Sequence, residues 1–287
     1  MSVVRSPFTP IRLLMWIILA IGSFVCVFPF YWMVVGSTLN PNAVIHGNLL
    51  PGNELWINLE KATKNYNLPL FFWNSLFIAS ITVFLGVMVN AMAAFGFEKY
   101  PSKAREWFFG ILLLTLIIPQ ISIVLPLFKL VAGFFAPIDM LFGTSFGGLL
   151  DSSWGIIMPF LMSAFIIFFL RQNFKMFPTE IVEAARVDGS GEWRIFLQIA
   201  MPSMTASFSS AAILMFIGQW NSYLWPLMTI LSDGTKTLPI AMSSMMNAYT
   251  IEYGGLMLIV TVSMIPVLAV FLGLQRQFVA GLVGSIK

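Results

Sequence analysis

Six apolar stretches of roughly 20 residues, the length an α-helix needs to cross a bilayer core of about 30 Å, constrain this chain more than any other feature. They run Leu13–Gly36, Phe72–Phe95, Trp107–Phe128, Ser153–Leu170, Thr205–Met228 and Gly255–Leu274, and every Asp and Glu lies outside them. Backbone groups in hydrocarbon must bond to one another, and these lengths suit helices, since barrel strands need only about 10 residues. The first stretch exceeds the roughly 7 to 15 apolar residues of a signal peptide and has no small-x-small cleavage site, so it reads as a true span. Only 9% of the residues are charged, against about 25% in soluble domains. The expected fold is therefore all-α: a polytopic bundle of six transmembrane helices forming a single domain over residues 1–287.

Orientation follows from Lys and Arg. With the N-terminus inside, the inner segments hold Arg5, Arg12, Lys99, Lys103, Arg105, Arg171, Lys175, Arg186, Arg194, Arg276 and Lys287, leaving Lys61, Lys64, Lys129 and Lys236 outside. Both termini and the 171–203 loop are thus expected on the cytoplasmic side of the cell membrane. The net charge of +3 is this inner bias, with no nucleic-acid footprint. Cys26 is the sole cysteine, within the first span, and reads as a small apolar packing residue.

Several chemistries lack their residues. No G-x-x-x-x-G-K-[ST] phosphate loop is present; the nearest fragment, Gly234-Thr235-Lys236-Thr237, lacks the paired glycines. Gly143-Thr144-Ser145-Phe146-Gly147 has the formal G-x-S-x-G pattern, but the sole histidine, His46, lies in another outer loop, and a serine nucleophile needs a nearby base. One His and one Cys make no metal site. An ion-coupled carrier or channel is disfavoured, because proton and ion relays rest on intramembrane ionisable groups and the spans carry only neutral polar residues such as Asn74, Asn90, Gln120, Gln219 and Asn221. Pro119, Pro126, Pro202, Pro226 and Pro266 either break helices around a cavity, as in transporters, or reflect the general frequency of proline in membrane helices.

Residues 180–204, EIVEAARVDGSGEWRIFLQIAMPSM, are a polar insert between two apolar blocks. Pro178-Thr179 supplies a helix start with Thr179 as N-cap, and Ile181, Val182, Ala184 and Ala185 give the helix a small apolar surface. Gly189 ends it in the left-handed conformation, and Ser190 caps a second helix whose Trp193, Phe196, Leu197 and Ala200 recur with helical spacing. A helix of about two turns needs something to pack on. Interfacial helices favour bulky apolar and basic residues; alanines beside Glu180, Glu183 and Asp188 fit a protein groove better than lipid.

Glu183-Ala184-Ala185, three residues, Gly189, nine residues and Ile199-Ala200-Met201-Pro202 resemble the EAA loop, E-A-A-x-x-x-G-x9-I-x-L-P, of permease subunits of ATP-binding-cassette importers. Met201 stands where that family usually has Leu, and Ala206 replaces a second proline usual in the sugar branch. Asn74-Ser75, Phe169-Leu170-Arg171-Gln172, Phe216 to Pro226, Thr237-Leu238-Pro239 and Gln275 to Val279 extend the resemblance to the carbohydrate-uptake branch related to the maltose-transporter permeases. The glycine-rich tail Gly281–Lys287 is about one residue short of that pattern. The resemblance implies a type I importer permease domain working with a second homologous permease, two ATPase subunits that use ATP and Mg, and an extracytoplasmic solute-binding protein. This chain would bind no cofactor. Glu183, Ala184, Ala185, Asp188 and Gly189 would form the coupling helix on the ATPase. The substrate would be a sugar, a di- or oligosaccharide, with glycerol phosphate or a related polyol as the alternative. Gln219, Trp220, Asn221 and Tyr223, with Trp225, offer amides for hydroxyls and rings for sugar faces; aromatics at this depth also form ordinary interfacial belts.

The charge bias makes a direct prediction. In a Cys26→Ser background, Ser190→Cys should react with a membrane-impermeant maleimide only from the cytoplasmic side and Ser232→Cys only from outside. Labelling of both from one side would break the six-span topology.

Overall fold

The structure, a computed structural model, describes residues 10–100, 102–133, 148–247, 249 and 251–284, with side chains to 277. The G-x-S-x-G at 143–147, within the outer segment 129–152 that is long and aromatic in sequence, lies outside the described residues, as do the last three residues of the tail. The main helices are α1 (Pro10–Gly36), α2 (Pro41–Ile45), α3 (Leu55–Tyr66), α4 (Leu68–Lys99), α5 (Lys103–Leu114), α6 (Gln120–Ala132), α7 (Ser153–Ile157), α8 (Ala164–Met176), α9 (Thr179–Val187), α10 (Thr205–Trp220), α11 (Leu224–Thr229), α12 (Leu238–Met246) and α13 (Tyr253–Gly284). No strand occurs among the described residues.

Of the six expected spans, the first, second and sixth are continuous helices long and apolar enough to cross a membrane. The other three are bent pairs, at 107° between Lys103–Ile117 and Gln120–Ala132, 44° between Ser153–Phe160 and Ala164–Lys175, and 85° between Glu192–Ser203 and Thr205–Trp220. Proline chemistry accounts for the sharpest bend. Ile118, preceding Pro119, is pushed to extended geometry with ψ 122°, as steric conflict with a following proline ring demands, and Pro119 has no N–H to continue the ladder. In the fourth span Pro159 lies in a 3-10 turn, after which the Ser163 side chain accepts from Ile166 N–H and starts α8 afresh. By contrast Pro29, Pro126 and Pro266 sit inside continuous helices.

The chain packs as two compact units, one drawn from Met1–Leu68 and Met242–Met264, the other from Pro69–Ala241 and Ile265–Lys287. In the first, Val35, Leu39 and Val44 form a small core with Tyr253 and Met257. Buried Asn58 donates to the Ser37 and Leu39 carbonyls at 2.9 Å each, satisfying acceptors in the turn that follows α1. Gly254 passes beside them, where an added Cβ would lie 2.4 Å from the Leu39 oxygen.

The second unit holds the larger core, built on Ile167, Leu170 and Phe174 of α8 with Ala91, Ala94 and Phe95 of α4. Fully buried Asn90 closes the break in the fourth span: its amide donates to Leu161 O at 2.8 Å and its Oδ1 accepts from Ser163 N–H at 2.8 Å. One turn earlier Gly86 permits the approach, since a Cβ there would meet Leu161 O at 3.2 Å. Outside the spans, Asp151 takes a left-handed backbone at φ 56°, a region where Asp is enriched. Its carboxylate accepts from Leu231 and Ser232 N–H and from the Ser232 and Thr235 hydroxyls. Those donors, the Ser232 N–H first and the Thr235 hydroxyl next, hold the carboxyl well below the usual range. A depressed folded-state value stabilises above the unfolded carboxylate range and fails only as pH falls toward that value, so this loop clamp persists in mild acid.

Asn90→Leu keeps the volume and orphans Leu161 O and Ser163 N–H, each at a cost of about 1–3 kcal/mol. The purified protein should show a clearly lowered Tm in detergent. A variant melting with the wild type would remove Asn90 from this role.

Candidate functional site

Helix α9 and the turn after it form a self-contained hairpin. Pro178, at φ −58°, precedes the first turn, where its fixed φ suits a helix start, and Glu180 in the first turn and Arg186 in the last match the helix dipole. Thr179 does not cap the helix as expected: its hydroxyl accepts from Lys99 Nζ at 3.3 Å. At the other end Gly189 N–H bonds Arg186 O at 3.0 Å and Ser190 N–H bonds Ala185 O at 2.9 Å, with Gly189 at φ 79°. This is a Schellman closure around a left-handed glycine. Nothing lies within 4 Å of the position a Gly189 Cβ would take, so a side chain is opposed by backbone conformation alone. Ser190 gives its N–H to that closure, and Gly191 is the residue that opens the second helix, without a side-chain cap.

The small face of α9 is divided. Val182 and Ala185 turn inward, into the core with Phe174, Ile195 and Phe196. Ala185, expected at the ATPase contact, lies on this inner side at 8% exposure. The outward surface carries Ile181, Glu183, Ala184, Val187, Asp188 and Gly189, with Val187 88% exposed. The expected stripe on the second helix also shifts. Phe196 and Ala200 are buried as foreseen, but Trp193 and Leu197 are exposed and Ile195 is fully buried, because Ile195–Ala200 is π-helical. A wider i→i+5 turn rotates the buried side away from α-helical spacing.

Charged groups bind the hairpin to the end of α4. Lys99 donates to Phe177 O at 2.7 Å, at the C-terminal end of α8, and lies 5.5 Å from the Phe177 ring centroid. Tyr100 OH donates to Glu192, which also pairs with Arg186 at 2.8 Å, so the Glu192 carboxylate raises the hold of Arg186 on its proton. Buried Arg171 pairs with Glu98 at 3.1 Å and with Glu106, over the Phe109 ring at 4.1 Å. The sequence analysis used Lys99, Arg171 and Arg186 as topology markers and did not bring these groups together. The available signal was Glu98-Lys99-Tyr100 closing one span opposite Arg171 closing another.

A second feature is a cleft of about 940 Å³ in the same unit. Gln219, Asn221 and Tyr223 line it. Trp220 does not; it is buried, stacked on Phe216 at 5.6 Å and edge-on to Phe72 at 6.1 Å. Trp225 reaches the cleft while its Nε1 donates to Gly155 O at 3.0 Å. No Asp, Glu, Lys or Arg is among the lining residues.

A bundle of continuous and broken apolar helices, a sealed polar hairpin and an uncharged cleft define a membrane transport subunit. Residues 82–283 match the model of the binding-protein-dependent transport system inner membrane component family, and the chain belongs to that family. It is 40% identical over 270 residues, 94% of either chain, to the lactose transport system permease protein LacG of Rhizobium radiobacter. It is 31% identical, over 99% of each chain, to the arabinooligosaccharides transport system permease protein AraQ of Bacillus subtilis. The sn-glycerol-3-phosphate permease UgpE of Brucella abortus is 28% identical over 94% of this chain and 95% of its own. A chain from the crystal structure of a bacterial ABC transporter involved in import of the acidic polysaccharide alginate superposes with TM-score 0.77 at 20% identity, covering 95% of this chain and 100% of that one; at that identity the likeness concerns the fold. The protein is a multi-pass permease subunit of an ABC importer of the carbohydrate-uptake branch.

If Lys99 holds the junction between α8 and α9, Lys99→Met should speed amide hydrogen exchange across Thr179–Val187 while leaving the middle of α8 protected. An unchanged profile would show that the junction does not depend on the lysine.

Proposed function

We propose that this chain forms half of the pathway of an ATP-driven importer for an uncharged di- or oligosaccharide, acting as one permease domain beside a second homologous permease. Two cytoplasmic ATPase subunits using ATP and Mg supply the energy, and an extracytoplasmic binding protein delivers the sugar. Both termini and the 171–203 loop face the cytoplasm. The observation that carries this reading is the hairpin's outward face. Val187 and Ile181 project an apolar contact beside Ala184, Glu183 and Asp188, on a helix whose end is held rigid by Gly189 and whose inner side is locked into the core. Such a face suits a protein groove, and motion of the ATPase pair would reach the spans through it. The neutral substrate follows from the relatives named for lactose and arabinooligosaccharides and from the uncharged cleft. A glycerol phosphate substrate, named for a more distant relative, would need its charge met by another subunit.

The isolated chain should hydrolyse no ATP, whereas the reconstituted complex should hydrolyse it faster when loaded binding protein is added. Gly189→Val forces a β-branched residue into a left-handed position at about 1 kcal/mol or more, and Val187→Glu buries a charge at the contact. Both should insert normally, lose co-purifying ATPase and abolish uptake. Wild-type assembly and transport by both variants would reject the coupling role.

A further inference from the structure

Three helix breaks converge on the cleft. Ile118 and Gln120 flank the Pro119 break, Met162 and Ser163 come from the break closed by Asn90, and Asn221 to Tyr223 form the break between α10 and α11; all line the same cavity. Irregular backbone at membrane depth is tolerated where it lines a polar cavity, and discontinuous helices commonly surround transported solutes. The cavity's volume of about 940 Å³ falls within the roughly 300–1,000 Å³ usual for small-molecule sites.

Thr82 of α4 supplies an independent observation. It lines this cleft, is only 1% exposed, and its hydroxyl has no hydrogen-bond partner. Other helix hydroxyls here bond the carbonyl four residues earlier: Thr229 to Trp225 at 2.9 Å, Thr261 to Met257 at 2.7 Å and Ser210 to Ala206 at 3.0 Å. Thr82 forgoes that bond. A threonine on a helix has two accessible rotamers, so rotation about χ1 can turn the hydroxyl toward the cleft, and an orphaned buried hydroxyl is stabilised by whichever partner arrives.

We propose that the cleft is a transit subsite for one uncharged sugar residue, with Thr82 Oγ1 on its floor and Gln219 on its wall exchanging hydrogen bonds with ligand hydroxyls. The proposal rests on the sugar-import reading above and adds this subunit's own contact with the substrate. Uncharged amide and hydroxyl partners suit a polyhydroxylated ligand, because an unmatched ligand charge would stay desolvated there.

The test uses the reconstituted complete importer with radiolabelled lactose at saturating binding protein, measuring sugar moved per ATP hydrolysed alongside the Tm of the complex. Thr82→Val removes the hydroxyl at constant volume and should lower that ratio about three- to tenfold, the effect of one hydrogen bond, with Tm no lower than wild type. Thr82→Ser should restore it to within about twofold. A Thr82→Val complex with the wild-type ratio, or one whose ratio and Tm fall together, overturns the subsite while leaving the import reading intact. A wild-type complex that moves neither lactose nor arabinooligosaccharides defeats the import reading and the subsite with it.

Discussion

A helix broken inside hydrocarbon exposes N–H and C=O groups that no solvent can take up, and the second unit is organised by how it meets that demand. Asn90 bonds the carbonyl before the break and the amide after it, so the fourth span changes direction without an unpaired group at those positions. The same logic recurs where α8 ends. Lys99 bonds the terminal Phe177 carbonyl and places a positive charge at the negative end of the helix dipole. In the first unit Asn58 bonds the carbonyls of the turn that follows α1. The bend of the fourth span and the end of α8 are thus anchored points, held by side chains reaching from α4.

These anchors give α8 and α10 a particular place in the proposed mechanism. Helix α8 starts beside the cleft at Ser163 and ends at the Lys99-held junction with α9; α10 leads from the end of the hairpin segment to Gln219. A push on the hairpin therefore has two helices to travel along before it meets the polar residues of the cleft. The Arg171 pairs with Glu98 and Glu106 draw α4 and α5 into the same assembly, and because Arg171 is itself buried, losing both carboxylates would leave its charge unmet.

Much of this was legible in the sequence because it depends on short-range chemistry. Apolar run length sets the spans, Pro119 marks the sharpest bend, and Gly189 sits where a left-handed residue is required. What escaped depends on neighbours distant in sequence. Thr179 and Ser190 are plausible caps by type, yet Pro178 and Gly191 occupy the cap positions. Trp193 and Leu197 fit a period of 3.6 that the π-helical segment abandons. Trp220 is an aromatic beside amides in the sequence, and only the fold shows that it packs on Phe72 and Phe216. Nothing local in Thr82 distinguishes it from the threonines that bond their own helix; only the assembled cleft does.

The Schellman closure at Gly189 has a consequence for reversibility. Because the Ala184, Ala185 and Arg186 carbonyls near the end of α9 are satisfied by the hairpin itself, the surface around Val187 can be wetted and dried without those backbone hydrogen bonds changing hands. Separation from a partner then costs mainly the re-exposure of a few apolar side chains. In the proposed coupling role the hairpin would serve as a dry latch, closing and releasing on each cycle without fraying its own helix.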